Sequence, residues 1–280
     1  MKIVTHQSAK PSDYNKESEG YDAFNEAHSA LINYTTEQIL KKYKAKTVLD
    51  LSCGTGSQVF WLAREGFEVT GVDINNKMLN IAKEKSILLR QGFGGQEHEK
   101  QTISFLNGDM RFAHIGEFDA VITIFNTIGH LTKADFEIAL RNIHRNLKKD
   151  GLYIFDIANL NYYLNGNHIT ELTVDWLTST NDVHFRDIQY GTIDTEGILA
   201  LYNISFVQKR ALPAGAQRAQ EGSEKPKISK STKTLQIYSA GPLKEILHKN
   251  DFIVLEQCGI DGSAFNNEQT DRILTIAQKK

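Results

Sequence analysis

The chain has two cysteines, four prolines, three methionines and two tryptophans among its 280 residues. Cys53 and Cys258 lie far apart, so they form neither a disulfide framework nor a paired metal knuckle. That usage is expected of a reduced, cytoplasmic protein. None of the nine histidines falls at a recognised metal-ligand spacing, which leaves a metal site without support. Long apolar runs are missing as well. Nothing approaches the length of a membrane span, and the opening Met1-Lys2-Ile3-Val4-Thr5-His6 lacks the apolar centre of a signal peptide. With a formal net charge of -2, no global field draws nucleic acid or anionic lipid. A membrane partner is excluded on these grounds, and a nucleic-acid partner is not expected.

What is present is an ordinary globular composition, long enough for one α/β domain with an elaboration or for two small domains. Residues 1 to 18 are polar and read as a mobile arm carrying Tyr14. A helix is expected from about Tyr21 to Lys44, with Leu31, Ile39 and Leu40 on its buried side. From there short β runs alternate with helical runs. Thr47 to Leu51 is a strand, Ser57 to Glu65 a helix stopped at Gly66, and Glu68 to Asp73 the next strand. Asn75 or Asn76 caps a helix carrying Met78, Leu79, Ala82 and Leu89. Gly92 to Gln101 reads as an exposed loop, followed by strands at Ile103 to Leu106 and Phe118 to Phe125. Thr132 with Asp135 resembles a capping box, opening a helix with Phe136, Leu140, Ile143 and Leu147 on one face that ends at Gly151 before a strand from Leu152 to Asp156. Such alternation implies a parallel sheet with right-handed crossovers.

Beyond about Leu160 the pattern changes. His184 to Tyr190 and Ile198 to Val207 read as paired strands, with Thr234 to Tyr238 as a third. Ala211 to Ser231 reads as a flexible loop. The end returns to α/β, with a helix at Gly241 to Asn250 and strands at Phe252 to Cys258 and Arg272 to Ala277. The expected divisions are a lid segment at 1–45, a core at 46–160, an antiparallel insertion at 161–239 and a closing segment at 240–280. The insertion offers a substrate-side wall or the surface of a homodimer.

The chemistry gathers at strand ends. Val48-Leu49-Asp50-Leu51-Ser52-Cys53-Gly54-Thr55-Gly56 is a strand followed by a glycine loop, and Gly54 and Gly56 let the backbone turn sharply and approach a ligand. A dinucleotide fingerprint would place a third glycine where this chain has Val59, and no phosphate-loop lysine is present. Asp50, four residues before the first glycine, suits a cationic ligand better than a pyrophosphate. Asp73 ends the second strand about twenty residues later, where a carboxylate can accept both hydroxyls of a ribose. Asp109 and Met110, after the third strand, can meet an adenine amino group and ring face, although Asn107-Gly108-Asp109 is also turn chemistry.

Together these residues resemble the class I S-adenosylmethionine-dependent methyltransferases over residues 47 to 156. Val-Leu-Asp-Leu-Ser-Cys-Gly-Thr-Gly is similar to the first motif of that family, Val-Thr-Gly-Val-Asp to its second, Gly-Asp-Met to its adenine-side motif and Leu-Lys-Lys-Asp-Gly-Leu-Tyr-Ile-Phe-Asp to its fifth-strand signature. The resemblance implies a Rossmann-like, doubly wound, mostly parallel seven-stranded sheet with a small antiparallel β extension. It implies S-adenosyl-L-methionine as cofactor, with Ser52, Cys53, Gly54 and Gly56 around the methionine part and Asp73 on the ribose; Tyr21, Asp50, Ile74 and Met78 are also expected among the cofactor-binding residues. Asp109 and Met110 fall on the adenine, and Phe125 near the methionine amino group.

Enzymes that methylate the amino groups of nucleobases usually carry Asn/Asp-Pro-Pro-aromatic after the fourth strand, where this chain has Asn126-Thr127-Ile128-Gly129. The stretch resembles the small-molecule branch, with aminosugar and glycine/sarcosine N-methyltransferases nearest, so the expected partner is a small-molecule methyl acceptor. His130 is expected to accept a proton or orient the acceptor, since an imidazole with an ordinary pKa near 6.5 can do either at neutral pH. Tyr14 and Tyr21 are expected as an aromatic lid over the sulfonium; for Tyr21, packing of a terminal helix is the alternative. Arg210, Arg218, Lys225, Lys227, Lys230 and Lys233 read as a solvated loop rather than an RNA surface. An oxygen, carbon or RNA acceptor, an NAD-linked oxidoreductase and a non-catalytic binding protein stay open.

Overall fold

The computed structural model describes residues 5–15, 21–92, 103–165, 174–179, 183–209 and 227–280. Two sheets are formed. The larger contains β1 (Thr47–Asp50), β2 (Glu68–Asp73), β3 (Ile103–Asn107), β4 (Phe118–Thr123), β5 (Leu147–Ala158), β10 (Phe252–Gly259) and β11 (Arg272–Lys279), in the order β10-β11-β5-β4-β1-β2-β3. Strands β1 to β5 are parallel, and β11 runs antiparallel between β5 and β10. The smaller sheet is an antiparallel meander of β6 (Val174–Ser179), β7 (Val183–Ile193), β8 (Ile198–Lys209) and β9 (Lys227–Gln236).

Successive residues on a strand point to opposite faces, so a strand buried on both sides must be apolar throughout. Val48 and Leu49, Ile122 and Val121, Ile154 and Tyr153, and Ile276 and Ile273 divide between two cores in this way. One core holds Phe136, Leu140 and Ile143 of α4 (Lys133–Arg145) and Leu243 and Leu247 of α5 (Ala240–Lys249). The other holds Ile32 and Leu40 of α1 (Tyr21–Lys42) and Val59 and Leu62 of α2 (Ser57–Arg64). Connection direction reverses between β1 and β4, and the crevice at their carboxyl ends is where doubly wound sheets bind ligands.

Departures from the sequence reading have local causes. Leu31 is exposed, and its neighbour Ile32 takes the buried position on α1. The helix from Lys133 stops at Arg145, and Leu147 begins β5, which runs through Gly151 as one strand. The smaller sheet gains β6, and β9 begins at Lys227, inside the stretch read as loop. Asn75 rather than Asn76 caps α3 (Asn76–Gly92), accepting from the amides of Lys77 and Met78 at 2.9 and 3.1 Å. Thr132 caps α4 as expected, its hydroxyl accepting from Asp135 N at 3.2 Å. The loop expected after Gly92 and most of that expected at 211–231 lie outside the described residues.

Candidate active site

From β1 the chain turns through Leu51 to Gly56 into α2. Leu51 N donates to Ile122 O (3.1 Å) and Cys53 N to Val72 O (3.0 Å), pinning the loop between β4 and β2. Gly56 stands at φ 92° where the turn closes, and a Cβ there would fall 2.6 Å from the Phe60 ring. Glycine is therefore required by both conformation and space.

Asp50 is buried at the head of this loop. Its Oδ1 accepts from Ser52 N at 3.1 Å; among the described residues, Asp50 Oδ2 and Ser52 Oγ have no hydrogen-bond partner. Burial, and then the nearby Asp73 charge, push the Asp50 carboxyl up to about 8. Asp73 accepts Gly54 N on Oδ2 and Asn75 N on Oδ1, each at 2.8 Å, so each oxygen keeps a lone pair for a further donor. Burial raises Asp73 above the usual carboxylate range as well.

Tyr14, Ser52, Gly54, Asp73, Ile74, Met78, Asp109, Met110, Phe125 and His130 line one cleft. Asp50, Cys53 and Gly56 stand behind its wall. The Cys53 side chain turns into the core against Gly71, where a Cβ would lie 2.9 Å from its Sγ, and burial raises its thiol. Tyr21 opens α1, and its side chain lies outside the described residues.

Asp109 is not a free acceptor. Arg111 brings its backbone amide and guanidinium onto both carboxylate oxygens, the shortest contact being 2.5 Å, and reaches Asp135 at 2.8 Å with its other nitrogen. Partial burial opposes ionisation of Asp109, but the Arg111 contacts prevail and hold it below the usual range. Asn142 fixes the same turn, donating to Met110 O at 2.9 Å.

The opposite wall is built after β4. Phe125 and Asn126 have φ of 68° and 56°, and a 3-10 turn over Thr127–His130 follows. Gly129 lets this turn sit against the second sheet, since a Cβ there would meet Gln236 O at 3.1 Å. Tyr14 Oη lies 2.7 Å from His130 Nε2, the rings edge to face. Lys233 Nζ lies 5.6 Å from the centre of the Tyr14 ring.

Of the arm expected at 1–18, residues 5–15 are described, and hydrogen bonds tie them to the fold. Ala9 N donates to His130 O (2.8 Å), Ser8 Oγ bridges Thr132 N and Asp135 Oδ2 (2.9 and 2.5 Å), and Asn75 Nδ2 donates to Pro11 O (2.7 Å). His6 adds contacts to Thr234 Oγ1 and Leu131 O at 2.9 and 3.0 Å. Residues 5–15 thus form a strap across the top of both sheets.

Sequence reasoning gave no role in the site to Ser8, Arg111, Asp135, Asp156 and Arg272, all of which hold residues that line the cleft. They are charged or polar groups paired across the fold, and no periodic pattern marks them. The cleft presents carboxylates at its floor, apolar Ile74, Met78 and Met110 along it, and aromatic rings at its mouth. A flat ligand with vicinal hydroxyls and positive charge suits that order. Among the described residues no group of metal-ligating side chains gathers, and no helix is long and apolar enough to cross a membrane.

Residues 48–151 match the family described as methyltransferase domain. Human glycine N-methyltransferase is 31% identical over 179 residues, covering 57% of this chain and 60% of that protein. The chain spans about half the length of the curated relatives it matches. Two solved structures share the fold. A methyltransferase dependent on S-adenosylmethionine from Clostridium acetobutylicum ATCC 824 has a TM-score of 0.67 at 18% identity, covering 95% of this chain and 98% of that one. An amino pentose methyltransferase from Micromonospora echinaspora, solved with the same molecule bound, has a TM-score of 0.61 at 14% identity, covering 99% and 100%.

Proposed function

We infer that this chain, which carries a class I S-adenosylmethionine-dependent methyltransferase domain, transfers the methyl group of that cofactor to a small molecule, most simply at an amine nitrogen. The observation that carries this reading is the 2.7 Å contact of Tyr14 with His130 at the mouth of a cleft floored by Gly54 and Asp73. The similar glycine N-methyltransferase and amino pentose methyltransferase are named for acceptors of that kind.

The residues present fit the cofactor. Asp73 would take the ribose hydroxyls on its remaining lone pairs. Ser52 Oγ and Gly54 would receive the methionine part, whose ammonium, brought toward the unpartnered oxygen of Asp50 behind the wall, would favour the ionised form of that carboxyl. Met110 and Ile74 would enclose the adenine, and Asp109 would reach its amino group only beside or in place of Arg111. When bound, S-adenosylmethionine supplies an electrophilic methyl group with a neutral thioether as leaving group.

What the chain must do is position the acceptor and manage its proton. A neutral amine nitrogen attacks with its lone pair and emerges with a positive charge. The Tyr14 hydroxyl and His130 Nε2 offer an acceptor pair for the proton it then loses. Phe125 and Tyr14 exclude water and present π faces to positive charge. In this reading the 5–15 strap is the lid, and the second sheet walls the acceptor side.

Transfer of labelled methyl from S-adenosylmethionine to a panel of amino acids, amino sugars, phenols and RNA tests the proposal. Label in a small amine is expected. Label in RNA or a phenol alone, or in none of the panel, overturns it.

A further inference from the structure

We propose that Asp156 and Arg272 are positioning residues for methyl transfer: Asp156 holds the left-handed turn at Phe125 and Asn126, while Arg272 holds Asp156 and covers the Phe125 ring. The proposal rests on the functional reading above and assigns that site two residues which touch neither reactant.

The connection from β4 to the 3-10 turn contains two consecutive non-glycine residues at positive φ. Side chains rarely adopt that conformation, and it persists where the surroundings over-determine it. Here one carboxylate takes both amides of the turn. Phe125 N donates to Asp156 Oδ1 at 2.6 Å and Asn126 N to Oδ2 at 3.3 Å. Successive amides in such a turn converge on an anion, and the anion they meet is the protein's own. Asn126 Oδ1 accepts in return from Ala158 N at 2.7 Å, closing the turn onto the end of β5.

Asp156 is completely buried, so its charge needs a partner. Arg272, at the start of the neighbouring β11, provides it through Nε at 3.0 Å and through a closer terminal nitrogen. The same guanidinium lies 5.4 Å from the centre of the Phe125 ring. Phe125 is thereby fixed from its backbone by Asp156 and from its ring by Arg272. Four residues past Asn126 comes His130, so the turn also sets where the Tyr14 partner stands. An ion pair serving the core alone would not spend its carboxylate on the two amides that aim a wall of the cleft.

The test uses the full chain as Asp156→Asn, Arg272→Lys, Arg272→Met and Asn126→Gly, and as Asp156→Asn combined with Asn126→Gly. Hydrogen exchange of the 125 and 126 amides is read without cofactor, S-adenosylhomocysteine affinity by calorimetry, and kcat separately from KM. Misplacing a wall of the site should lower both that affinity and kcat of Asp156→Asn by about tenfold, with faster exchange at both amides. Arg272→Lys should retain most of what Arg272→Met loses. Asn126→Gly also removes the tie to Ala158 N, so the double variant is compared with Asn126→Gly alone: Asp156→Asn should cost at least about threefold less affinity in that background than in wild type, because glycine adopts the turn unaided. A general loss of stability gives no such rescue. Affinity and exchange unchanged in Asp156→Asn, or losses that track the urea midpoint with no rescue by lysine or glycine, overturn the positioning. Wild-type protein that fails to bind S-adenosylhomocysteine overturns the functional reading and the positioning with it.

Discussion

The hydroxyl of Tyr14 and Nε2 of His130 meet at 2.7 Å although 116 positions separate them in the chain. One comes from the strap and the other from the 3-10 turn after β4, so the contact forms only when the strap lies across the cleft. If the two act as a unit on the acceptor proton, Tyr14→Phe and His130→Asn should each lower kcat by about a hundredfold, and the double variant by little more. Steady-state kinetics of the three proteins checks this. Multiplying losses would separate their roles, and unchanged turnover would remove them from the chemistry.

Asp50 makes stability depend on pH. With its carboxyl raised to about 8 in the folded protein, it keeps its proton there while the unfolded chain has already released it. Stability from this group is fully present below the ordinary carboxylate range, declines as pH rises, and levels off above about 8. Asp50→Asn removes that decline. The gap in Tm between variant and wild type should therefore move in favour of the variant from pH 5 to pH 8.5, as thermal melts across that range would reveal. Asp73 shifts in the same direction but is present in both proteins.

Gly56→Ala combines a strained φ with a Cβ 2.6 Å from the Phe60 ring. It should cost about 1–3 kcal/mol of stability, read from urea denaturation. Gly54→Ala has the positive φ but open space around the added atom, so it should cost less.

Ser8 links Thr132 N to Asp135, which Arg111 also engages. Ser8→Ala should loosen the strap without unfolding the sheets, and limited chymotryptic cleavage after Tyr14 should accelerate while Tm moves by only about 1–2 °C. Equal cleavage of both proteins would show that the strap is held without Ser8.

Much of this was legible in the sequence because burial writes a periodic signal. Apolar strands alternating with amphipathic helices marked the parallel sheet, and Asp50, Gly54 and Asp73 fell at strand ends where the fold gathers them. Errors arose where periodicity is ambiguous. Leu147 continues the spacing of Phe136, Leu140 and Ile143 yet begins β5, because a buried apolar residue fits either element. Residues 5–15 carry no apolar pattern and read as an arm; their order comes from hydrogen bonds to His130, Thr132 and Asn75, which the sequence does not bring together. Asp109 was singled out by its position after β3, but its capture by Arg111 depends on side-chain geometry. Asp156 and Arg272 lie 116 positions apart and meet only through the antiparallel pairing of β5 with β11.

The most direct test of the account is a calorimetric titration of the full chain with S-adenosylhomocysteine, run beside NAD. Saturable binding of one S-adenosylhomocysteine per chain, with none of NAD, is the predicted result. NAD binding in its place, or no binding of S-adenosylhomocysteine, would contradict the assignment of the cleft lined by Ser52, Gly54 and Asp73.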